Sequence, residues 1–366
     1  MTSIALENIG LQYRGKDVLS DINLTIEDKE LCTLVGPSGC GKSVILRVIA
    51  GLVKPMTGHV YIDGEVATHV PPGDRDIAMV FQSFALYPHM SVKDNWTFPL
   101  RASKLSQEEI NARIQEISDF LEMDPLLNRR PAQLSGGQQQ RAALGRALVR
   151  RPRMFLLDEP LGSQDAKKRV TTATGLKKLQ MELGITMVCV TSDQIEAQAL
   201  GDKLAVMDIG TLQQVGTPEE VYERPANLFV AEFIGSPPIN LFDCTLIQEG
   251  GALYLSNPQF KVSLTPGMAA RMETAASGNA VVLGIRPEHV RVTLDEQPES
   301  VPAQVYVLEP QSDDLLLDLH VGDLIVRTRS AREDLGFEPV LDQPVFLTFD
   351  KNLIHVFDKV SGARIS

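Results

Sequence analysis

No apolar stretch in the 366 residues reaches the ~18–20 needed for a helix to cross a membrane, so any tie to a membrane must run through a partner. Met1-Thr2-Ser3-Ile4 leads straight into strand-like sequence, and no signal peptide is expected. Cysteine is scarce: Cys32, Cys40, Cys189 and Cys244 are scattered without metal-site spacing, and reduced thiols of a cytosolic protein fit them best. The six histidines include no pair at metal-ligand spacing and are given no metal role. Positive charge is short as well, with 35 Lys+Arg against 47 Asp+Glu and a net of −12. That disfavours a nucleic-acid-coating surface, which needs a basic face for phosphate contacts. The acid is uneven. Residues 241–366 hold 10 basic and 18 acidic residues, a net of −8, which leaves −4 for residues 1–240.

What is present is chemistry for phosphate. A chain of this length is long enough for two or three domains, and its 43% hydrophobic and 22% charged shares are ordinary for globular protein. Gly36-Pro37-Ser38-Gly39-Cys40-Gly41-Lys42-Ser43 fills the pattern G-x-x-x-x-G-K-[ST]. Leu31–Val35 before it reads as a buried strand, and Val44–Ala50 after it as a helix ended by Gly51. Glycines let backbone N–H groups wrap a phosphate, and the helix start adds partial positive charge. Lys42 supplies a point charge to the outer phosphates, and Ser43 a hydroxyl to Mg²⁺. A chance glycine-rich turn is the bland alternative, and the strand and helix flanks argue against it.

Arg153–Glu159 reads as an apolar strand ending in two carboxylates, at the sheet edge where parallel α/β folds bind ligands. Asp158 suits the Mg²⁺ shell, and Glu159 suits a base that polarises an attacking water. Leu134-Ser135-Gly136-Gly137-Gln138 precedes a helix read over Gln139–Arg151, with Ser135 as its N-cap. Exposed N–H groups there offer a second phosphate-binding helix start.

Together these three motifs resemble the ATP-binding cassette (ABC) family, whose signature is LSGGQ. More narrowly, the chain is similar to ATPase subunits of bacterial ABC importers for sugars, polyols and glycerol phosphates, the maltose-transporter type. Pro72–Ser83, Ala85–Val92, Gly216–Tyr222 and Gly284–Val290 carry that narrower match. The resemblance implies ATP and Mg²⁺ as cofactors, with Gln82 near the metal and the attacking water. It implies adenine stacking on Tyr13, for which a core tyrosine is the alternative. It makes Ser83 to about Arg101 the surface that grips two transmembrane permease subunits, which work with a solute-binding protein. Two cassettes would pair head to tail, as a homodimer or heterodimer. Lys42 of one and Ser135-Gly136-Gly137 of the other would then close on one ATP, at the cytoplasmic face of the plasma membrane. A soluble cassette protein of translation or DNA repair is the competing class; such chains carry two cassettes or long coiled-coil insertions, and this one has neither.

The chain departs from the family in places. Ser192 stands where the family has a histidine that contacts the γ-phosphate. Leu161-Gly162-Ser163-Gln164-Asp165 replaces Leu-Ser-Asn-Leu-Asp, Val44 replaces a hydroxyl residue, and Gln139 an arginine. Val170–Gly175 is a poor helix-forming stretch. Two readings stay open: harmless drift, or a partly degenerate, mainly ATP-binding cassette beside an active second ATPase subunit.

The expected fold is α/β: a P-loop NTPase (RecA-like) core with antiparallel β and helical subdomains, plus a C-terminal all-β domain like an oligonucleotide-binding (OB) barrel. Residues 3–31 and 58–81 read as a small antiparallel sheet. Ser106 opens a helix running to about Met123 with a capping-box pattern. Met187–Val190 and Lys203–Met207 read as further core strands. The cluster Gly235-Ser236-Pro237-Pro238 reads as a linker, dividing an ATPase domain, 1–235, from a regulatory domain, 236–366. Beyond it only strands are expected, seven of them from Ala252 to Phe357, at a spacing that suggests a barrel.

Overall fold

The computed structural model of the chain describes residues 3–81, 83–101, 105–162, 166–275, 278–311 and 313–366. It divides into two compact units, Met1–Val221 and Tyr222–Ser366.

The first unit begins with the hairpin β1 (Ile4–Tyr13) and β2 (Lys16–Ile26). Then follow β3 (Leu31–Val35), α1 (Lys42–Ile49), β4 (Thr57–Ile62), β5 (Glu65–Val66) and β6 (Ile77–Val80). The helices α2 (Val92–Thr97), α3 (Gln107–Leu121) and α4 (Gly136–Leu148) come next. The unit continues through β7 (Met154–Asp158), α5 (Ala166–Leu183), β8 (Thr186–Thr191), α6 (Gln194–Leu200), β9 (Lys203–Asp208) and β10 (Thr211–Gly216). Among the described residues one sheet has the order β2-β1-β4-β5, and a larger one β10-β9-β3-β8-β7-β6. In the larger sheet β9, β3, β8, β7 and β6 run parallel, and β3, β7 and β8 are buried along their whole length. Sheets covered on both faces read this way, as continuous apolar runs.

Three expectations for this unit change. The stretch 58–81 is not all in the antiparallel sheet: Ile77–Val80 pairs with β7 in the parallel one, where Ala78 and Val80 are buried. α4 starts three residues earlier than expected, at Gly136, and stops at Leu148. Ser135 does cap it, accepting from Gln138 N while Gln138 Oε1 accepts from Ser135 N. α5 runs unbroken through the poor helix formers because Ala173, Leu176 and Leu179 share a buried face, and packing outweighs propensity. α3 is capped by Ser106 and Glu109 as expected. Trp96 of α2 is fully buried and donates Nε1–H to Ala142 O at 2.7 Å, tying α2 to α4.

α7 (Pro218–Glu223) and α8 (Leu228–Phe233) lead into the second unit. There β11 (Asn240–Glu249), β12 (Ala252–Asn257), β13 (Phe260–Ser263), α9 (Pro266–Ala275) and β14 (Ala280–Ile285) precede β15 (Val290–Thr293) and β16 (Val301–Gln311). β17 (Asp314–Val321), β18 (Leu324–Ala331), β19 (Pro344–Phe349) and β20 (His355–Asp358) complete it. Two antiparallel five-stranded sheets, β13-β12-β11-β14-β20 and β15-β19-β16-β17-β18, share a core that includes Phe242, Phe260, Leu317 and Phe349. The expectation of strands alone fails at α9. Thr265 accepts from Met268 N, Pro266 suits a first helical position, and Met268 and Met272 are buried one turn apart. Buried Arg286 fixes the end of α8, donating from Nη1 to Ala231 O at 3.0 Å and to Ile234 O, and from Nη2 to Tyr222 O at 3.0 Å. Among the described residues no helix is long and apolar enough to cross a membrane.

Candidate functional site

Strand register assembles the site. Val35, the last residue of β3, lies opposite Thr191, the last of β8, and Asp158, the last of β7, lies opposite Val190. Three parallel strands therefore end side by side. The glycine loop, the acidic pair and Ser192 leave the sheet from that common edge, where α/β folds bind ligands.

The loop is built around close approaches. A Cβ on Gly36 would lie 2.3 Å from Met207 O, and Gly39 and Gly41 have φ of +84° and +109°. Side chains rarely adopt that backbone, so glycine is required there. Gly41 precedes α1 without a side-chain cap, which leaves the helix start to a ligand. Lys42 is only 4% exposed; its Nζ donates to Gly36 O at 2.7 Å and Pro37 O at 2.9 Å. Its charge is thus held inside the loop it would use on a phosphate. The Cys40 thiol beside it is pushed up by burial, against the pull of Lys42. All four cysteines are buried and unpaired thiols, as the sequence suggested.

Ser43 Oγ donates to Asp158 Oδ1 at 2.7 Å. A hydroxyl and a carboxylate at one point are hard oxygen donors, and they fit Mg²⁺. Glu159 follows with φ 48°, a left-handed backbone uncommon for a non-glycine residue; its N–H donates to Val190 O at 2.8 Å. That bond and the buried Pro160 hold Glu159 at the strand end, half-buried.

Ser192 is exposed just past β8. Beneath it lies a pair that the sequence reading missed. Thr191 Oγ1 donates to Glu196 Oε2 at 2.8 Å and accepts from Asp193 N at 3.1 Å. Glu196 is 3% exposed, and its Oε1 is buried without a partner among the described residues. Burial first, then the charges of Asp193 and Glu159, push its carboxyl up to about 7. The available signal was an acid on the helix face that also carries Ala197 and Leu200.

Tyr13 ends β1 and is 64% exposed, so it is no core residue; the Arg14 guanidinium lies 5.3 Å from its ring centroid. Ser135 and Gly136 are exposed, and a Cβ on Gly136 or Gly137 would meet only open space. Gln82, and Ser163 to Asp165, lie outside the described residues. In the segment 83–101, Tyr87 packs edge-on to Phe98 at 5.0 Å, and Arg146 reaches over the Tyr87 ring and donates to Ala85 O at 2.6 Å. Tyr87, Phe98 and Arg146 line a groove of about 240 Å³.

Comparison with known proteins agrees with this geometry. The ABC transporter profile matches residues 19–162, the MalK OB fold domain residues 235–290 and the TOBE domain residues 283–357. The chain is 43% identical over 377 residues to the trehalose/maltose import ATP-binding protein MalK of Thermococcus litoralis, covering 100% of both chains. It is 42% identical over 378 residues to the sn-glycerol-3-phosphate import ATP-binding protein UgpC of Ruegeria pomeroyi, again covering 100% of both. A solved dimeric ATP-binding cassette in a post-hydrolysis state with ADP and phosphate is 34% identical, with a TM-score of 0.54, over 59% of this chain and 98% of that one.

Proposed function

Because the chain belongs to the ATP-binding cassette transporter family, in the branch of import ATPases, we propose that it energises uptake of a sugar, polyol or glycerol phosphate. It is an ABC ATPase; the solute class and the assembly are the proposed part. A second cassette and two permease subunits complete the complex, and a solute-binding protein delivers the cargo. Residues 1–235 form the ATPase domain and 236–366 a regulatory one. The subunit sits peripherally on the cytoplasmic face of the plasma membrane and engages the permease through the segment 83–101.

In this reading the loop Gly36–Gly41 wraps the ATP phosphates, Lys42 turns from its carbonyl partners to the outer phosphates, and Tyr13 stacks on adenine. Ser43, Asp158 and Gln82 would hold Mg²⁺, which neutralises charge that develops on the phosphates. Glu159 accepts a hydrogen bond from the attacking water, and Ser192 faces the γ-phosphate. Ser135, Gly136, Gly137 and Gln138 serve the partner's nucleotide, since a triphosphate held from two sides joins the dimer until hydrolysis releases it. The observation that carries the reading is the common edge of β3, β7 and β8, in a chain that aligns end to end with import ATPases. Co-expression with the two permease subunits tests it: the chain should co-purify with them in detergent, and Tyr87→Ala should detach it while nucleotide affinity stays. Failure to co-purify with any permease pair would overturn the transport reading.

A further inference from the structure

The second unit contains a cavity of about 440 Å³ with a cationic wall. Arg224, Arg271, Arg286 and Arg364 line it with His289 and His355, and the acid among the lining side chains is Glu223. With Glu223 set against the four arginines the wall keeps a surplus of +3, in a unit, 222–366, whose 11 basic and 20 acidic residues carry −9 overall. The crowding has a cost visible in the groups themselves. Burial first, then Arg224 and Arg271, hold the Arg364 guanidinium below its ordinary range. Burial, followed by Arg364, Arg286 and His289, drives His355 down to about 4, so it is neutral at pH 7.

Two donors or acceptors in the wall are unused. Arg286 is 1% exposed, and its Nε has no hydrogen-bond partner among the described residues; the buried Nδ1 of His289 has none either. Because both Nη atoms of Arg286 are committed to backbone carbonyls, its guanidinium is fixed in place. Arg271 is also held, Nε donating to Ser366 Oγ at 3.1 Å. A buried polar group without a partner is destabilising, and a fixed cluster of like charges adds to that. An anion offsets both.

We propose that this cavity binds a small phosphate monoester, at a site separate from the nucleotide site of the first unit. Guanidinium groups match tetrahedral oxyanions through paired N–H donors, and a dianion offsets most of the surplus of +3. A bare phosphate underfills about 440 Å³, and the remaining wall suits a hydroxylated carbon skeleton. Thr265 and Asn352 offer hydrogen bonds, and Met268 and Ile354 offer apolar contact. Free inorganic phosphate shares the recognising chemistry, so the measurement has to separate the two.

The test uses the full chain carrying Lys42→Ala, which weakens the competing phosphate loop. Calorimetric titrations at fixed ionic strength take glycerol 3-phosphate, glucose 6-phosphate and inorganic phosphate, with glycerol and glucose as neutral controls. Saturable binding of a phosphate monoester, absent for the neutral polyols, is expected. Arg364→Ala and Arg271→Ala should each weaken it at least tenfold, and Arg364→Lys should recover part. Tighter binding of a monoester than of inorganic phosphate assigns an organic ligand; the reverse order assigns free phosphate and overturns the monoester. The site itself is overturned if no phosphate binds saturably, or if a double Arg271→Ala, Arg364→Ala chain with unchanged circular dichroism binds as tightly as its parent.

Discussion

Ser43 and Asp158, 115 residues apart in the chain, meet in a hydrogen bond of 2.7 Å between Oγ and Oδ1. The bond joins the start of α1 to the end of β7, so two separately encoded motifs share one point. Ser43 and Asp158 would together hold a divalent cation at that point, Ser43 with its hydroxyl and Asp158 with the charge of its carboxylate.

That geometry makes Ser43→Ala selective. Nucleotide binding in EDTA should stay within about twofold of the parent, because the phosphate loop remains. The gain in ATP affinity on adding Mg²⁺ should fall about tenfold, the size of one charge-assisted contact of ~1.4 kcal/mol. Fluorescent-nucleotide titrations with and without Mg²⁺ read both quantities, and an intact Mg²⁺ gain would remove Ser43 from the metal shell.

Lys42→Ala should weaken ATP binding at least tenfold, since hydrogen bonds to charged groups contribute about 1.5–3 kcal/mol. It also leaves Gly36 O and Pro37 O without the donor they now have. A lower melting temperature of the nucleotide-free protein should therefore accompany the loss. Near-normal nucleotide affinity would contradict the phosphate-loop assignment.

Glu196 gives the site a pH signature. Its carboxyl is pushed up to about 7, mainly by burial. From the ordinary carboxylate range to about 7 the folded chain keeps a proton that the unfolded chain has released. Stability therefore falls as pH rises through that window and levels off above it. Glu196→Gln should flatten this slope and make the protein more stable than the parent at pH 8 by about 1–3 kcal/mol. Denaturant melts at pH 5, 6, 7 and 8 measure it, and parallel curves for the two proteins would rule out a titrating Glu196.

Gly145 is a packing glycine. An added Cβ would lie 2.2 Å from Trp96 Cζ2, and that indole is fully buried and pinned to Ala142 O. Gly145→Ala should cost about 1–3 kcal/mol, although alanine is the better helix former. Gly175→Ala, on an exposed face where a Cβ meets nothing, should instead gain about 0.5–1 kcal/mol. Chemical denaturation of the two variants should move in opposite directions.

Motifs with a local cause were legible in the sequence. The phosphate loop needs its glycines at fixed offsets, and Ser106 and Ser135 cap helices through residues three positions on. What could not be read depends on contacts between distant segments. β6 joins the parallel sheet because β7 offers it an edge, which no property of Ile77–Val80 announces. α9 is held by Met268 and Met272 against a core assembled from strands on both sides of it in the chain. Glu196 looks like a solvated helix acid until α6 folds back on Thr191. The cationic cavity is less legible still, since its arginines span Arg224 to Arg364 within an acidic unit, 222–366.

Ser192 sets the last expectation. It follows β8, one strand over from Asp158 and Glu159, and it is exposed at the sheet edge where the γ-phosphate would lie. With Ser192 in the place we propose for it, its hydroxyl is too short to set a hydrogen bond where the imidazole nitrogen of a histidine would reach. One preorganised transition-state contact is commonly worth ~10²–10³ in kcat. The isolated chain should therefore hydrolyse ATP slowly, and Ser192→His should raise kcat about tenfold or more with little change in KM. In the transporter, a second cassette that keeps the histidine would then do most of the hydrolysis, while this chain's Ser135-Gly136-Gly137 would complete that cassette's site. Blocking the partner's phosphate lysine should stop uptake, and Glu159→Gln here should lower it only a few-fold. Brisk hydrolysis by the isolated chain, unchanged by Ser192→His, would show that another group does the work of the histidine and that a homodimer suffices.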